Sequence, residues 1–157
     1  MRRRLMGESS PFMAVTLGNF GWFLLFRRHD PRRAEPILRQ ALAMGERYYP
    51  PTAGTLTYPL IGIGRSRVLL GEPAAGEAYL RRALAIRRAA KSPPELEIAR
   101  IELFLAESLA AQRRCAEARP LLARSTALLE PRGEPDDLER IEAPRQTLAA
   151  NCPADGS

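Results

Sequence analysis

A 42-residue self-similarity runs through this 157-residue chain and restricts what it can fold into more than any other feature. The segment from Ala34 to Leu42 (AEPILRQAL) falls on Gly76 to Leu84 (GEAYLRRAL) and again on Ala118 to Thr126 (ARPLLARST). The same offset joins Pro31 to Pro73, and Pro51 to Pro93 to Pro135. The register is held both in the apolar segments and in the prolines between them. That is the mark of a repeated unit which cannot bury its apolar face alone and must stack on its neighbours.

Within each unit the apolar residues recur at helical spacing, as in Ile37, Leu38, Ala41 and Leu42. Asp30 before Pro31 supplies a capping carboxylate ahead of a proline at the first helical position, where its missing N–H costs nothing. Ser92-Pro93-Pro94-Glu95 has capping-box spacing and predicts a helix start near Pro93. Helices are predicted near 11–28, 31–47, 53–70, 73–90, 94–112 and 115–130, with a last one near 136–149. Pro36 and Pro120 inside second helices, and Pro59 and Gly62 in the third helix, predict local distortion. No run alternates β-branched with polar residues, so no strand is expected.

Gly64 and Ala106 stand 42 residues apart, each seven before a short turn at Gly71 or Arg113, and read as positions where paired helices cross closely. In the first unit Gly21, not Trp22, takes this place, which implies one extra residue before His29. Gly64, Gly71, Gly76, Leu80 and Ala83, with Leu105, Ala106, Leu109, Ala118 and Leu122, resemble the helix-pair signature of the tetratricopeptide repeat family. The period and the proline-marked linkers resemble its longer variant, as in kinesin light chain and bacterial regulators. The resemblance implies an all-α, right-handed α-solenoid of three helix-turn-helix units. These fall at about 11–50, 51–92 and 93–134, closed by a capping helix at 135–149, with a disordered basic N-terminus at 1–10 and a disordered tail at 150–157.

The family pattern, carried over residue by residue, implies a concave groove for a peptide or partner helix. Asn19 and Trp22 would line it in the first unit, Tyr58, Ile61, Arg65 and Val68 in the second, and Arg100, Leu103 and Glu107 in the third. Ile61 and Leu103 read better as core. The asparagine and lysine set that clamps a terminal carboxylate in some family members is not reproduced. Asn19, Arg65 and Arg100 remain as donors, which suggests an acidic peptide. A role in bacterial signalling is what the resemblance implies, beside kinase or regulator domains.

Twenty-three of the 24 basic residues are arginine, the exception being Lys91, and the formal net charge is +6. So strong a bias reads as genomic, which weakens a functional reading of the charge. Nucleic-acid binding is nonetheless the main competing function, through Arg27, Arg28, Arg32 and Arg33 at the first turn and Arg81, Arg82, Arg87 and Arg88 on one helix. Against it, acidic residues such as Glu35, Glu46, Glu72 and Glu77 lie among these arginines and no aromatics interleave with them, as a single-strand platform requires.

Catalysis is not expected. The one histidine, His29, sits in a turn, Asp136, Asp137 and Glu139 cluster where a helix start attracts negative charge, and no nucleotide, cofactor or metal motif is present. Cys115 and Cys152 make no disulfide framework and fit a reducing cytoplasm. The apolar stretch Phe12 to Leu25 is interrupted by Thr16, Gly18 and Asn19, which argues against a membrane span or export signal. Phe12, Phe20, Trp22, Phe23 and Phe26 make the first helix aromatic, with nothing stacked before it. Exposure there suggests either self-association or a fragment of a longer array.

Overall fold

The computed structural model describes residues 9–154. Those residues are all-helical, without a strand: α1 (Pro11–Phe26), α2 (Pro31–Tyr48), α3 (Thr57–Leu69, after a 3-10 turn at Gly54–Leu56), α4 (Pro73–Arg88), α5 (Glu95–Ala111), α6 (Cys115–Arg132) and α7 (Pro135–Asn151). Each helix packs on its neighbour in the chain, while α1 also meets α3, α3 meets α5 and α5 meets α7. No described helix is long and apolar enough to cross a membrane.

The helix starts follow local chemistry. Ser10 Oγ accepts the Met13 N–H, and Asp30 Oδ1 accepts the Arg33 N–H, so both caps satisfy amides that a helix N-terminus leaves unpaired. Ser92 does not act as the expected cap. Helix α5 begins at Glu95 with Pro94 preceding it, because a residue before proline is pushed out of helical conformation and both Ser92 and Pro93 stand before one. Pro36 and Pro120 lie inside helices that continue past them, and Pro59 falls in the first turn of α3, where it removes no internal hydrogen bond.

Three interhelix turns are closed by a left-handed residue: His29 at φ 51°, Gly71 at 84° and Arg113 at 59°, spaced 42 residues apart. The Glu72 N–H reaches back five residues to Arg67 O, and Arg114 N–H five to Leu109 O, whereas Asp30 N–H reaches six to Leu24 O. The extra residue expected in the first unit is thus accommodated in the turn, as a wider final loop of α1.

Close crossings occur where the small residues stand. A Cβ on Gly76 would lie 2.5 Å from the Gly64 carbonyl oxygen, so α3 and α4 touch backbone to backbone. A Cβ on Gly64 would meet Leu80, and one on Gly21 would meet the equivalent Leu38, each within 2.7 Å. Leu38, Leu80 and Leu122, set 42 apart, are all buried, and with Leu60, Ile63, Ile101, Phe104, Leu105 and Leu109 they form one continuous core.

The disordered tail expected at 150–157 is corrected over its first residues. Helix α7 continues to Asn151, and the next residue, Cys152, is buried and bonded to Cys115 with Cα atoms 5.5 Å apart. Residues 155–157, like 1–8 of the expected disordered N-terminus, lie outside the described residues. Ser9, within that N-terminus, hydrogen-bonds to the Tyr48 hydroxyl at 2.8 Å.

Candidate functional site

The face shared by α1, α3, α5 and α7 carries a row of aromatic rings. Trp22 stacks on Phe26 with centroids 4.6 Å apart, Tyr58 meets Trp22 edge-on at 6.0 Å, and Phe26 meets Phe104 at 5.8 Å. The i, i+4 spacing of Trp22 and Phe26 turns both rings inward from α1, and Trp22 Nε1 donates to Tyr58 O at 2.9 Å, which fixes the indole against α3.

Guanidinium groups cover this row. Arg140 of α7 lies 4.5 Å from the Phe26 centroid and 5.6 Å from that of Trp22, Arg87 lies 5.7 Å from Tyr58, and Arg65 5.0 Å from Phe104. The rings' electron-rich faces attract these cations. Aromatic and arginine side chains thus alternate on this face, and of the arginines in the competing nucleic-acid reading Arg87 takes part. Here, however, the ring faces are taken by the chain's own side chains.

The two arginines read as donors for an acidic peptide have internal partners. Arg100 makes a two-point contact with Asp137 at 2.7 and 2.8 Å, and Asp137 also accepts the Glu134 N–H at 2.8 Å. Burial opposes ionisation of Asp137, but the hydrogen bonds from Arg100 and the Glu134 amide outweigh it and hold the carboxyl below its ordinary range. The hydrogen bond to Asp137 raises the Arg100 pKa in turn. Arg65 is buried in an ion pair with Glu107; burial first, then the neighbouring Arg140 charge, brings its pKa down to about 10, so it remains a cation at neutral pH. Burial likewise lowers the pKa of Arg140.

The remaining expected groove residues separate. Trp22, Tyr58 and Arg100 border a small hollow of about 50 Å³ with Phe104 and Arg140. Asn19 borders another, of about 170 Å³, together with Val15 and Tyr58, toward the start of α1. Val68 sits against Gly76 of α4, while Ile61 and Leu103 are core, as expected. A cavity of about 410 Å³ lies between the C-terminal part of α1, α3 and α7. Its apolar wall is Leu25, Phe26 and Leu69, and its polar wall brings Arg27 and Arg140 beside Asp136 and Glu139.

No protein-family model and no curated protein matches this chain.

Several residues that shape the site were not singled out for it from the sequence. Asp137 was read as a helix cap and is also the counterion of Arg100, at 1% exposure. Asp136 pairs with Arg27 of α1 at 3.1 Å and with Arg140 at 3.5 Å. The cysteines, expected to stay reduced, form a disulfide, because the start of α6 and the end of α7 meet although 37 residues separate them. An i, i+4 relation between Asp136 and Arg140 was the one local signal available.

Of the arginines in the competing nucleic-acid reading, Arg27 pairs with Asp136 and the four on α4 are drawn into ion pairs. Arg81 meets Glu77 at 2.6 Å, Arg82 meets Glu46 at 2.7 Å, Arg87 meets Glu97 at 2.9 Å and Arg88 meets Glu102 at 2.6 Å. Phosphate binding would have to displace these carboxylates, which weakens the electrostatic term on which such binding depends.

Proposed function

We propose that this chain is a right-handed α-solenoid of three tetratricopeptide-like units with a capping helix, and that it binds proteins without catalysing a reaction. The observation that carries the architecture is the triplet of left-handed turn residues His29, Gly71 and Arg113 at 42-residue spacing. Stacked helix pairs present a continuous face to partners. The cavity between α1, α3 and α7, apolar on one side and lined by both charge signs on the other, is suited to a partner segment carrying an apolar side chain beside charged ones. A cytoplasmic location and a regulatory role are part of the same proposal.

The test is affinity capture from source lysate with nuclease treatment and a high-salt wash. Arg65 and Arg100 have internal partners, so the informative variant is Leu69→Arg, at a half-exposed cavity residue. Retention of a discrete protein that Leu69→Arg loses supports the reading. Recovery of nucleic acid alone, eluting steeply with salt, refutes it.

A second reading, self-association through α1, rests on one outer face of that helix. Phe12 is 79% exposed, and Val15, Phe20 and Phe23 are also exposed. Light scattering that finds only monomer at about 50 μM would sink it, since apolar association of that strength should appear well below this concentration.

A further inference from the structure

We propose that α7 is a removable occupant of the face it covers, latched by the Cys115–Cys152 disulfide, and that reduction opens this face to an acidic-headed helix in trans. The inference rests on the protein-binding reading above and gives it a partner chemistry and a control. Helix α7 has modest apolar anchorage: Ile141 and Pro144 are buried and Leu148 partly so, while Leu138 is 50% exposed. By contrast α5 buries Ile101, Leu103, Phe104, Leu105 and Leu109.

Both ends of α7 are held by polar and covalent contacts. Its first turn places Asp137 on Arg100 and Asp136 on Arg27, and one turn later Arg140 lies over Trp22 and Phe26. At the other end Arg119 donates to the carbonyls of Cys152 and Pro153 at 2.9 and 2.8 Å, beside the disulfide. The chain enters α7 through Gly133, and the disulfide closes the far end. While the bond is intact both ends are tethered, so the ionic contacts re-form whenever they break. Once it is cut, α7 is held at one end by the chain and otherwise by Ile141, the buried Asp137 carboxylate on Arg100 and the more exposed Arg27–Asp136 pair, which salt weakens.

The chemistry requires a dithiol reductant. Its thiolate attacks Sγ of Cys115, the less buried of the two residues, forming a mixed disulfide and expelling Cys152 as the thiolate, which takes up a proton. The reductant's second thiol loses its proton and displaces Cys115, whose departing thiolate is favoured by its place at the first position of α6. Two electrons pass to the protein and the reductant leaves as its own disulfide. In a cytoplasm, where disulfides are transient, this is the behaviour expected of such a bond.

The face α7 vacates states what would replace it: a helix with two adjacent carboxylates in its first turn and an arginine one turn later. Hydrogen exchange on the intact chain, oxidised and after dithiol reduction, tests the latch. Residues 135–151 should exchange more than tenfold faster on reduction while α1 to α5 keep their protection, and Cys152→Ser should match the reduced chain. Trp22, the only tryptophan, should shift its emission to the red as Arg140 leaves it. Unchanged protection of α7 overturns the latch, as does loss of protection in every helix, since the bond would then hold the whole fold.

In a second arm the probe is a synthetic peptide of residues 134–151, titrated into Cys152→Ser/Asp137→Asn, whose own α7 is weakened. Saturable binding is expected, at least tenfold weaker for the peptide carrying Asp137→Asn and absent with the oxidised native chain. A loosened α7 without peptide binding overturns the docking face and the protein-binding reading of it. Peptide binding to the oxidised native chain as tightly as to the variant overturns the latch and leaves that reading standing.

Discussion

Arg100 of α5 holds Asp137 of α7 through two hydrogen bonds of 2.7 and 2.8 Å, across 37 residues of sequence, with the carboxylate almost wholly removed from water. The pair ties α7 to the body of the protein. Removing the charge in Asp137→Asn strands a partly buried guanidinium. The cost should be about 2–3 kcal/mol, below the usual figure for a broken buried pair because water still reaches Arg100.

The same carboxylate makes stability depend on pH. Its folded pKa is depressed, so its contribution is complete above the ordinary aspartate value of 3.8 and is lost as pH falls through the lower folded value. Urea midpoints measured from neutral pH down to about pH 3 should fall for the native chain. They should fall less for Asp137→Asn; identical slopes would show that the carboxylate is not held as described.

One substitution should have opposite signs at two glycines. Gly76→Ala places a Cβ 2.5 Å from the Gly64 carbonyl oxygen and should cost about 1–3 kcal/mol as the helices are forced apart. Gly18→Ala meets nothing within 4 Å in the interior of α1 and should stabilise by about 0.5–1 kcal/mol, since alanine loses less backbone entropy in a helix. Thermal melts of the two variants decide the matter.

The buried Arg65 and Glu107 pair should be worth more intact than halved, yet not indispensable. Glu107→Gln leaves a buried cation without its counterion and should cost about 3–5 kcal/mol. The double change Arg65→Met/Glu107→Leu should recover most of that loss, because neither partner then has to be desolvated. Equal destabilisation of single and double variants by denaturant titration would contradict this.

His29 and Arg113 bear side chains at φ values of 51° and 59° that glycine adopts without strain. His29→Gly and Arg113→Gly should each stabilise by about 0.5–1 kcal/mol, after the added unfolded-state entropy is set against the strain relieved. Gly71→Ala should act the other way. A loss of stability in both glycine variants would show that the side chains contribute more than the turn costs.

The helices and their turns were legible because their causes are local. Prolines at helix starts, the Asp30 cap, the crossing glycines Gly21 and Gly64 and the one-residue slip before His29 act within a few residues of themselves, so the local sequence carries their marks. Even the misread cap at Ser92 failed for a local reason, the proline pair that follows it.

The contents of the shared face were decided by the tertiary structure alone. Arg65, Arg100, Trp22 and Tyr58 were identifiable as residues of first helices, but their partners Glu107, Asp137 and Arg140 stand far away in the chain. So do Cys115 and Cys152 from each other. Periodicity shows which side of a helix turns inward, because that depends on 3.6 residues per turn. Which charge meets which depends on where a helix arrives in space, and the return of α7 onto α1 and α5 follows from the summed crossing geometry of all the helices before it.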